Sequence, residues 1–158
     1  MSYFDKKMKG AYIFDLDGTL CDCTPRVKKY LDGKDDWEGF YAHCEDDYSI
    51  DEVCDVLVAL SEMNFDILFV TGRRESTRQA TLSWLRERFG EKVADSSKLF
   101  MRSAKDGHCA DYVSKVRNYR EHIEGKWAVR GVFEDRSECV RMWRDLGLKC
   151  FQVDWGEY

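Results

Sequence analysis

The sequence predicts an α/β fold: a parallel sheet with helices on both faces and a short cap insertion. Three observations lead there. Apolar runs of strand length recur along the chain. Helical patterns fill the intervals between them. Three of the runs stop abruptly at polar, chemistry-bearing residues. The 158 residues are expected to form one domain, 1–158, with residues 18–50 as a small cap or loop insertion.

The first run is Ala11-Tyr-Ile-Phe14. Residues 67–70, Ile-Leu-Phe-Val, form the second, and Leu99-Phe-Met101 a third. Trp127-Ala-Val and Gly131-Val-Phe133 bracket a fourth, and Cys150-Phe-Gln-Val153 is the fifth. Continuous apolar runs of this kind suit strands buried on both faces. Between them, Val53, Val56, Leu57, Leu60 and Met63 recur at spacings of three and four, and Ser49-Ile-Asp-Glu52 reads as a capping box opening that helix. Residues 77–89 place Leu82, Leu85 and Phe89 on one side, with Gly90 as C-cap; residues 137–146 end at Gly147 in the same way. The stretch 18–50 breaks this rhythm. It holds the only proline, Pro25, and the aromatic residues Tyr30, Trp37, Phe40, Tyr41 and Tyr48, which read either as a small core under the cap or as a surface for stacking a base.

Composition narrows the classes. Charged residues make up 35% and apolar residues 44%, which fits a globular domain rather than a disordered or fibrous chain. No apolar run reaches the roughly 18 residues of a membrane span, and Met1–Lys9 lacks the apolar centre of a signal peptide, so a cytoplasmic protein without membrane contact is expected. The seven cysteines form no CxxC pair and read as buried free thiols. Cys21 and Cys139 are each followed by an Arg with four residues between, one too few for a cysteine phosphate loop. GxxxxGK[ST], GxGxxG and GxSxG are all missing, and His43, His108 and His122 form no ligand pair. Net charge is −5, but it divides unevenly. Residues 22–52 carry ten acids against four bases, and residues 71–149 carry eighteen bases against twelve acids. The second stretch is either one solvated face or a surface for a phosphate-bearing partner.

Chemistry gathers at the ends of the strands, where parallel sheets bind ligands. Asp15-Leu-Asp17-Gly18-Thr19 follows the first strand. Positions i and i+2 of an extended segment share a face, so both carboxyls are expected to emerge together. Such a pair suits a hard divalent cation, or a division of labour between an attacking carboxylate and a proton carrier. Thr71-Gly72-Arg73 follows the second strand. Its hydroxyl, backbone amides and guanidinium, with a helix start behind them, suit an anion. Glu134-Asp135 follows the fourth strand; with Asp15 and Asp17 on the same rim, these acids would repel without a cation. A lysine near the site would neutralise phosphoryl oxygens, and spacing alone does not choose between Lys105 and Lys115.

The set Asp15-x-Asp17-Gly-Thr, Thr71-Gly-Arg73, Asp111 to Lys115 and Glu134-Asp-Arg136 resembles the haloacid dehalogenase (HAD) superfamily, whose fold is Rossmann-like. Within it the sequence is most similar to the phosphatase domains of phage-type polynucleotide kinase/phosphatases. Leu99–Arg102 and the tail from Val140 through Val153 to Gly156-Glu-Tyr add to that likeness. The resemblance implies an HAD-type phosphatase. Asp15 would be the nucleophile forming an aspartyl-phosphate, and Asp17 the group that protonates the leaving oxygen and then activates water. Thr71, Gly72, Arg73 and Lys115 would bind the phosphate. Mg²⁺ would be held by Asp15, the Asp17 carbonyl and Asp135, with Glu134 beside it. The implied substrate is a phosphorylated nucleic-acid end, 3′ especially. A nucleotidase or small-molecule phosphatase, and an inactive phosphate-binding module, are the alternatives. Relatives often have Asp-Asp where this chain has Glu134-Asp135, and the spacing from Arg102 to Lys115 is one residue longer, leaving Arg102 unassigned. No covalent cofactor and no kinase chemistry are expected, and oligomeric state is not legible.

Overall fold

The computed structural model describes residues 8–156. The segments 1–7 and Glu157-Tyr158, which entered the readings of a leader and of the tail, lie outside the described residues. In chain order come β1 (Gly10–Phe14), β2 (Cys21–Asp22) and α1 (Thr24–Arg26), which continues as a wider turn over Val27–Leu31. Next are α2 (Trp37–Ala42), β3 (Tyr48–Ser49), α3 (Asp51–Glu62), β4 (Asp66–Arg74) and α4 (Arg78–Phe89). The chain closes with β5 (Leu99–Arg102), α5 (Asp111–Asn118), β6 (Ala128–Glu134), α6 (Ser137–Asp145) and β7 (Cys150–Gln152). Five of the strands form one parallel sheet in the order β5-β4-β1-β6-β7. The expected α/β class and the Rossmann-like HAD fold are what the structure shows.

Alternation along each strand divides the core. Phe14, Ile67 and Phe69 meet Leu57 of α3 and Leu82, Trp84 and Leu85 of α4 on one face. Ile13, Leu68 and Val70 meet Tyr119, Val140, Met142 and Trp143 on the other, beside α5 and α6. Period-2 alternation with apolar side chains on both faces explains why the strands read as unbroken apolar runs. β1, at the centre, is flanked by β4 and β6, so the ends of all three meet at one rim.

Several local expectations shift. α3 starts at Asp51, and Ser49 donates to the Asp51 carboxylate at 2.6 Å, so no capping box forms. Its buried face is Cys54 and Leu57, while Val56 and Met63 are exposed. Gly90 and Gly147 do follow α4 and α6 with positive φ. All seven cysteines are free and six are buried. β4 runs four residues further than expected, through Arg74, so α4 does not start behind Thr71-Gly72-Arg73.

The 18–50 stretch lies over the rim. β2 and β3 pair antiparallel, and the Ile50 amide donates to the Leu20 carbonyl at 2.8 Å. Its aromatics divide by role. Phe40 is buried and stacks on the Arg26 guanidinium at 4.2 Å, Tyr30 stacks on His43, and Tyr48 is exposed. No described helix is long and apolar enough to cross a membrane.

At the opposite end of the sheet, Asp66 accepts from Lys9 (2.6 Å), Trp127 Nε1 (2.8 Å) and Lys98 (3.2 Å). Burial would raise its pKa, but these donors hold it below the usual carboxylate range. The folded value lies under the unfolded one, so its stabilisation is present above the unfolded pKa and disappears as pH falls through the folded one. Asp66→Asn should lower unfolding free energy by about 1–2 kcal/mol at pH 7. The deficit should close in acid, read by denaturant melts across pH, with turnover kept.

Candidate active site

The chain leaves β1 at Phe14, with the Asp15 amide still on the Phe133 carbonyl at 3.0 Å, and turns sharply after Leu16. The Leu16 carbonyl accepts from the amides of Thr19, Leu20 and Cys21 at 2.8 to 3.1 Å. Gly18 sits in this turn at φ 80°, and a Cβ there would overlap the Asp135 carboxylate, so only glycine meets both demands.

Asp15 is buried, and its Oδ1 lies 3.2 Å from Lys115 Nζ. The same ammonium meets Asp111 Oδ2 at 3.0 Å and Glu134 Oε2 at 2.8 Å. Burial opposes the Lys115 charge, yet Asp111, Asp15 and Glu134 hold its pKa well above the usual lysine range. Burial, then Glu134, raises the Asp15 carboxyl well above its ordinary value. Glu134 also accepts from Trp143 Nε1 (3.4 Å) and from the amides of Asp135 (3.2 Å) and Arg136 (3.3 Å).

Asp17 has different company. Arg73 donates to both of its oxygens at 2.7 to 3.2 Å, and Arg26 reaches the same Oδ1. Burial alone would raise Asp17, but Arg73 and Arg26 hold it far below the carboxylate range. Asp47 closes a buried quartet, accepting from Arg26 Nε at 2.7 Å and lying 3.4 Å from Arg73. Its carbonyl takes Trp84 Nε1 at 2.8 Å, so the quartet fixes the 18–50 stretch to α4.

Asp15 and Asp17 open onto one cavity of about 470 Å³, whose wall includes Thr71, Gly72, Asp111 and Arg102. Beside it, Asp15, Glu134 and Asp135 each bring a carboxylate oxygen within 4.8 Å of the others. Asp135 Oδ1 accepts from Thr19 at 3.2 Å, while Oδ2 is buried without a hydrogen-bond partner. Burial and the neighbouring Asp15 push the Asp135 carboxyl up to about 7. An orphaned buried oxygen among three acids fits a hard divalent cation.

A family model of the polynucleotide kinase PNKP phosphatase domain matches residues 9–158. The chain belongs to this family. It is an HAD-type phosphatase, a hydrolase of phosphomonoesters. Over 142 residues it is 34% identical to a protein of Autographa californica nuclear polyhedrosis virus provisionally described as a bifunctional polynucleotide kinase/RNA ligase; 90% of this chain and 19% of that protein are covered. A chain in the solved Pnkp1/Rnl/Hen1 complex is similar at 30% identity and TM-score 0.77, over 98% of this chain and 49% of that one. The Class C acid phosphatase from Bacillus anthracis, at 19% identity and TM-score 0.71 over 98% of this chain and 70% of that one, shares the fold. The chain thus spans about a fifth of the viral relative and half of the chain in the complex.

Within this PNKP-type phosphatase the expected residues take unequal positions. Asp15, Asp17, Thr71 and Gly72 line the cavity. Arg73, expected to touch substrate, does not: it is fully buried, with its guanidinium on Asp17 and Thr81. Lys115, also expected to touch substrate, lies beneath Asp15 with three carboxylates around it and stays off the cavity wall. The acids at 15 and 17 share the cavity but not their partners: Lys115 meets Asp15, while Arg73 and Arg26 meet Asp17. Three residues of the site were given no role by the sequence reading. Asp111 was legible in principle, as an acid four residues before Lys115 on a helix. Arg26 and Asp47 carried no signal, since only the folded cap joins them.

A Cβ at Gly72 would overlap Asp111 Oδ1, the atom on which Arg102 also converges at 3.5 Å. Gly72→Ala should displace Asp111 and loosen Lys115, lowering kcat by at least about tenfold. Wild-type kcat in that variant, with Asp111 in place by crystallography, would contradict this reading.

Proposed function

We propose that this chain is a Mg²⁺-dependent phosphatase that removes terminal phosphate, 3′ especially, from nucleic-acid ends through an aspartyl-phosphate on Asp15. The observation that carries the reading is the Asp15 carboxylate, pinned by Lys115 at one oxygen and opening onto a cavity large enough for a nucleotide. Membership in the PNKP phosphatase family and similarity to proteins named for polynucleotide kinase activity support the substrate class. The cavity would also admit a mononucleotide, so nucleotidase activity is the second reading.

Asp15 attacks phosphorus; the bond from phosphorus to the ester oxygen breaks, and the alcohol leaves. Water then attacks the acyl phosphate, releasing inorganic phosphate and regenerating Asp15. Lys115 fixes the Asp15 rotamer and offsets the charge of the surrounding acids. Thr71 and the Gly72 backbone shape the wall that meets the phosphoryl oxygens. Asp15 and Asp135, with the Asp17 carbonyl, would hold Mg²⁺, which when bound supplies positive charge facing those oxygens. Glu134 would steady the set from behind, its oxygens being committed to Lys115, Trp143 and two amides.

Asp17 is expected from resemblance to act as acid and then base. Two guanidiniums keep it ionised, so it cannot supply the first proton and is a weak base; its part is to accept a hydrogen bond from the attacking water and orient it. The proton for the ester oxygen then arrives on the substrate, whose second phosphate pKa is about 6. Turnover of a 3′-phosphorylated oligonucleotide should therefore fall as pH rises above that value. A rate that climbs steadily to pH 9 would remove this proton source from the mechanism.

Asp15→Asn should lower phosphate release by at least about a thousandfold with the melting temperature kept. A chelator should silence the wild type, and Mg²⁺ should restore it. Release that survives both treatments would refute the proposed chemistry. Activity on mononucleotides with none on oligonucleotides would select the nucleotidase reading.

A further inference from the structure

A second cavity of about 320 Å³ adjoins the first, and Arg74, Arg102, Gly107 and His108 stand in the walls of both. Ser76 and Ser103 add hydroxyls to its lining. The charge there is unbalanced. Its one acid, Glu75, is claimed by Arg78 through both carboxylate oxygens. Arg102 is shared among Asp111 at 3.5 Å, the Gly72 carbonyl at 3.2 Å and the Cys109 carbonyl at 2.6 Å, so it lends charge more than free donors. Arg74 lies over the Tyr41 ring at 5.1 Å, and among the described residues no carboxylate pairs with it. A half-buried guanidinium steadied on an aromatic face and lacking a counter-ion is prepared for an oxyanion.

Strand parity puts it there. Along β4, Thr71 and Arg73 are buried while Gly72 and Arg74 are partly exposed, so Arg73 turns in toward Asp17 and Arg74 out toward the cavities. A terminal phosphate at Asp15 fills only the first cavity. On a nucleic-acid strand, the next anion is the phosphodiester one nucleotide inward; a mononucleotide has nothing to place there.

We propose that the second cavity is a subsite for this internucleotide phosphodiester, gripped by Arg74 with Arg102 and the Ser76 hydroxyl beside it. The inference rests on the proposed reading of the first cavity as a phosphomonoesterase site. It makes the enzyme selective for strand ends over free nucleotides, through a group common to DNA and RNA.

The test compares kcat/KM, with Mg²⁺, for three 3′-phosphorylated substrates: a mononucleotide, a dinucleotide, and the same dinucleotide with a neutral methylphosphonate linkage. The wild type should favour the natural dinucleotide over the neutral one by about tenfold, the scale of one charge-assisted contact. That preference should weaken as salt is raised. In Arg74→Ala the ratio of the two dinucleotides should fall toward one, and Arg74→Lys should restore part of it. A wild-type ratio near one, which needs no variant to fold, overturns the subsite; so does a tenfold ratio that persists in Arg74→Ala. Phosphate release from none of the three overturns the underlying reading instead, and the subsite with it.

Discussion

One buried ammonium organises the rim of the sheet. Lys115 sits within 3.2 Å of carboxylates from three elements: Asp15 after β1, Asp111 at the start of α5, and Glu134 at the end of β6. Asp135 adds a fourth acid at the same place; against Lys115 and the two arginines that reach Asp111, Arg102 and Arg136, the four acids still leave negative charge in surplus. Burying so many like charges raises the carboxyl pKa values of Asp15, Glu134 and Asp135, and it leaves one Asp135 oxygen without a hydrogen-bond partner. The surrounding backbone is shaped to this cluster. Gly18 and Gly72 are bare where a side chain would strike Asp135 and Asp111. A cluster at this tension is one that a divalent cation would relieve.

The second device is electrically balanced. Asp17 and Asp47 meet Arg26 and Arg73 in a buried quartet, two charges of each sign. It ties the 18–50 stretch to the sheet rim and to Trp84 of α4, and holds Asp17 at the wall of the cavity. Asp15 and Asp17 are two residues apart but live in opposite settings. One carboxyl is raised by burial and neighbouring acids, and the other is lowered by arginines. Environments that separate two acids in this way give each a different job.

Much of this was legible in the sequence, for identifiable reasons. Strands buried on both faces leave continuous apolar runs, so the sheet and its chemistry-bearing ends could be read directly, and glycines marked the ends of α4 and α6. What failed depended on parity or on distant pairs. Ending β4 at Val70 treats Arg73 as a turn residue; carrying the strand to Arg74 buries Arg73 and turns Arg74 outward. Arg26 and Asp47 are 21 residues apart in a segment of short helices and a two-stranded hairpin, where no period predicts contact. Ser49 looked like a cap but donates to Asp51 instead. The aromatics of the 18–50 stretch separated only in three dimensions: Trp37, Phe40 and Tyr41 all border the cavity, Phe40 is buried against the Arg26 guanidinium, and Tyr48 is exposed.

The central claim is that the Lys115 cluster is a cation site held under like-charge strain. The most direct measurement is unfolding free energy with and without Mg²⁺, at pH 8, for the wild type and Asp135→Asn. That pH lies above the value of about 7 to which burial pushes Asp135. The account predicts that Mg²⁺ stabilises the wild type, that Asp135→Asn is at least as stable as the wild type without metal, and that Mg²⁺ adds nothing to the variant. A wild type indifferent to Mg²⁺, with the variant less stable than it, would contradict the account.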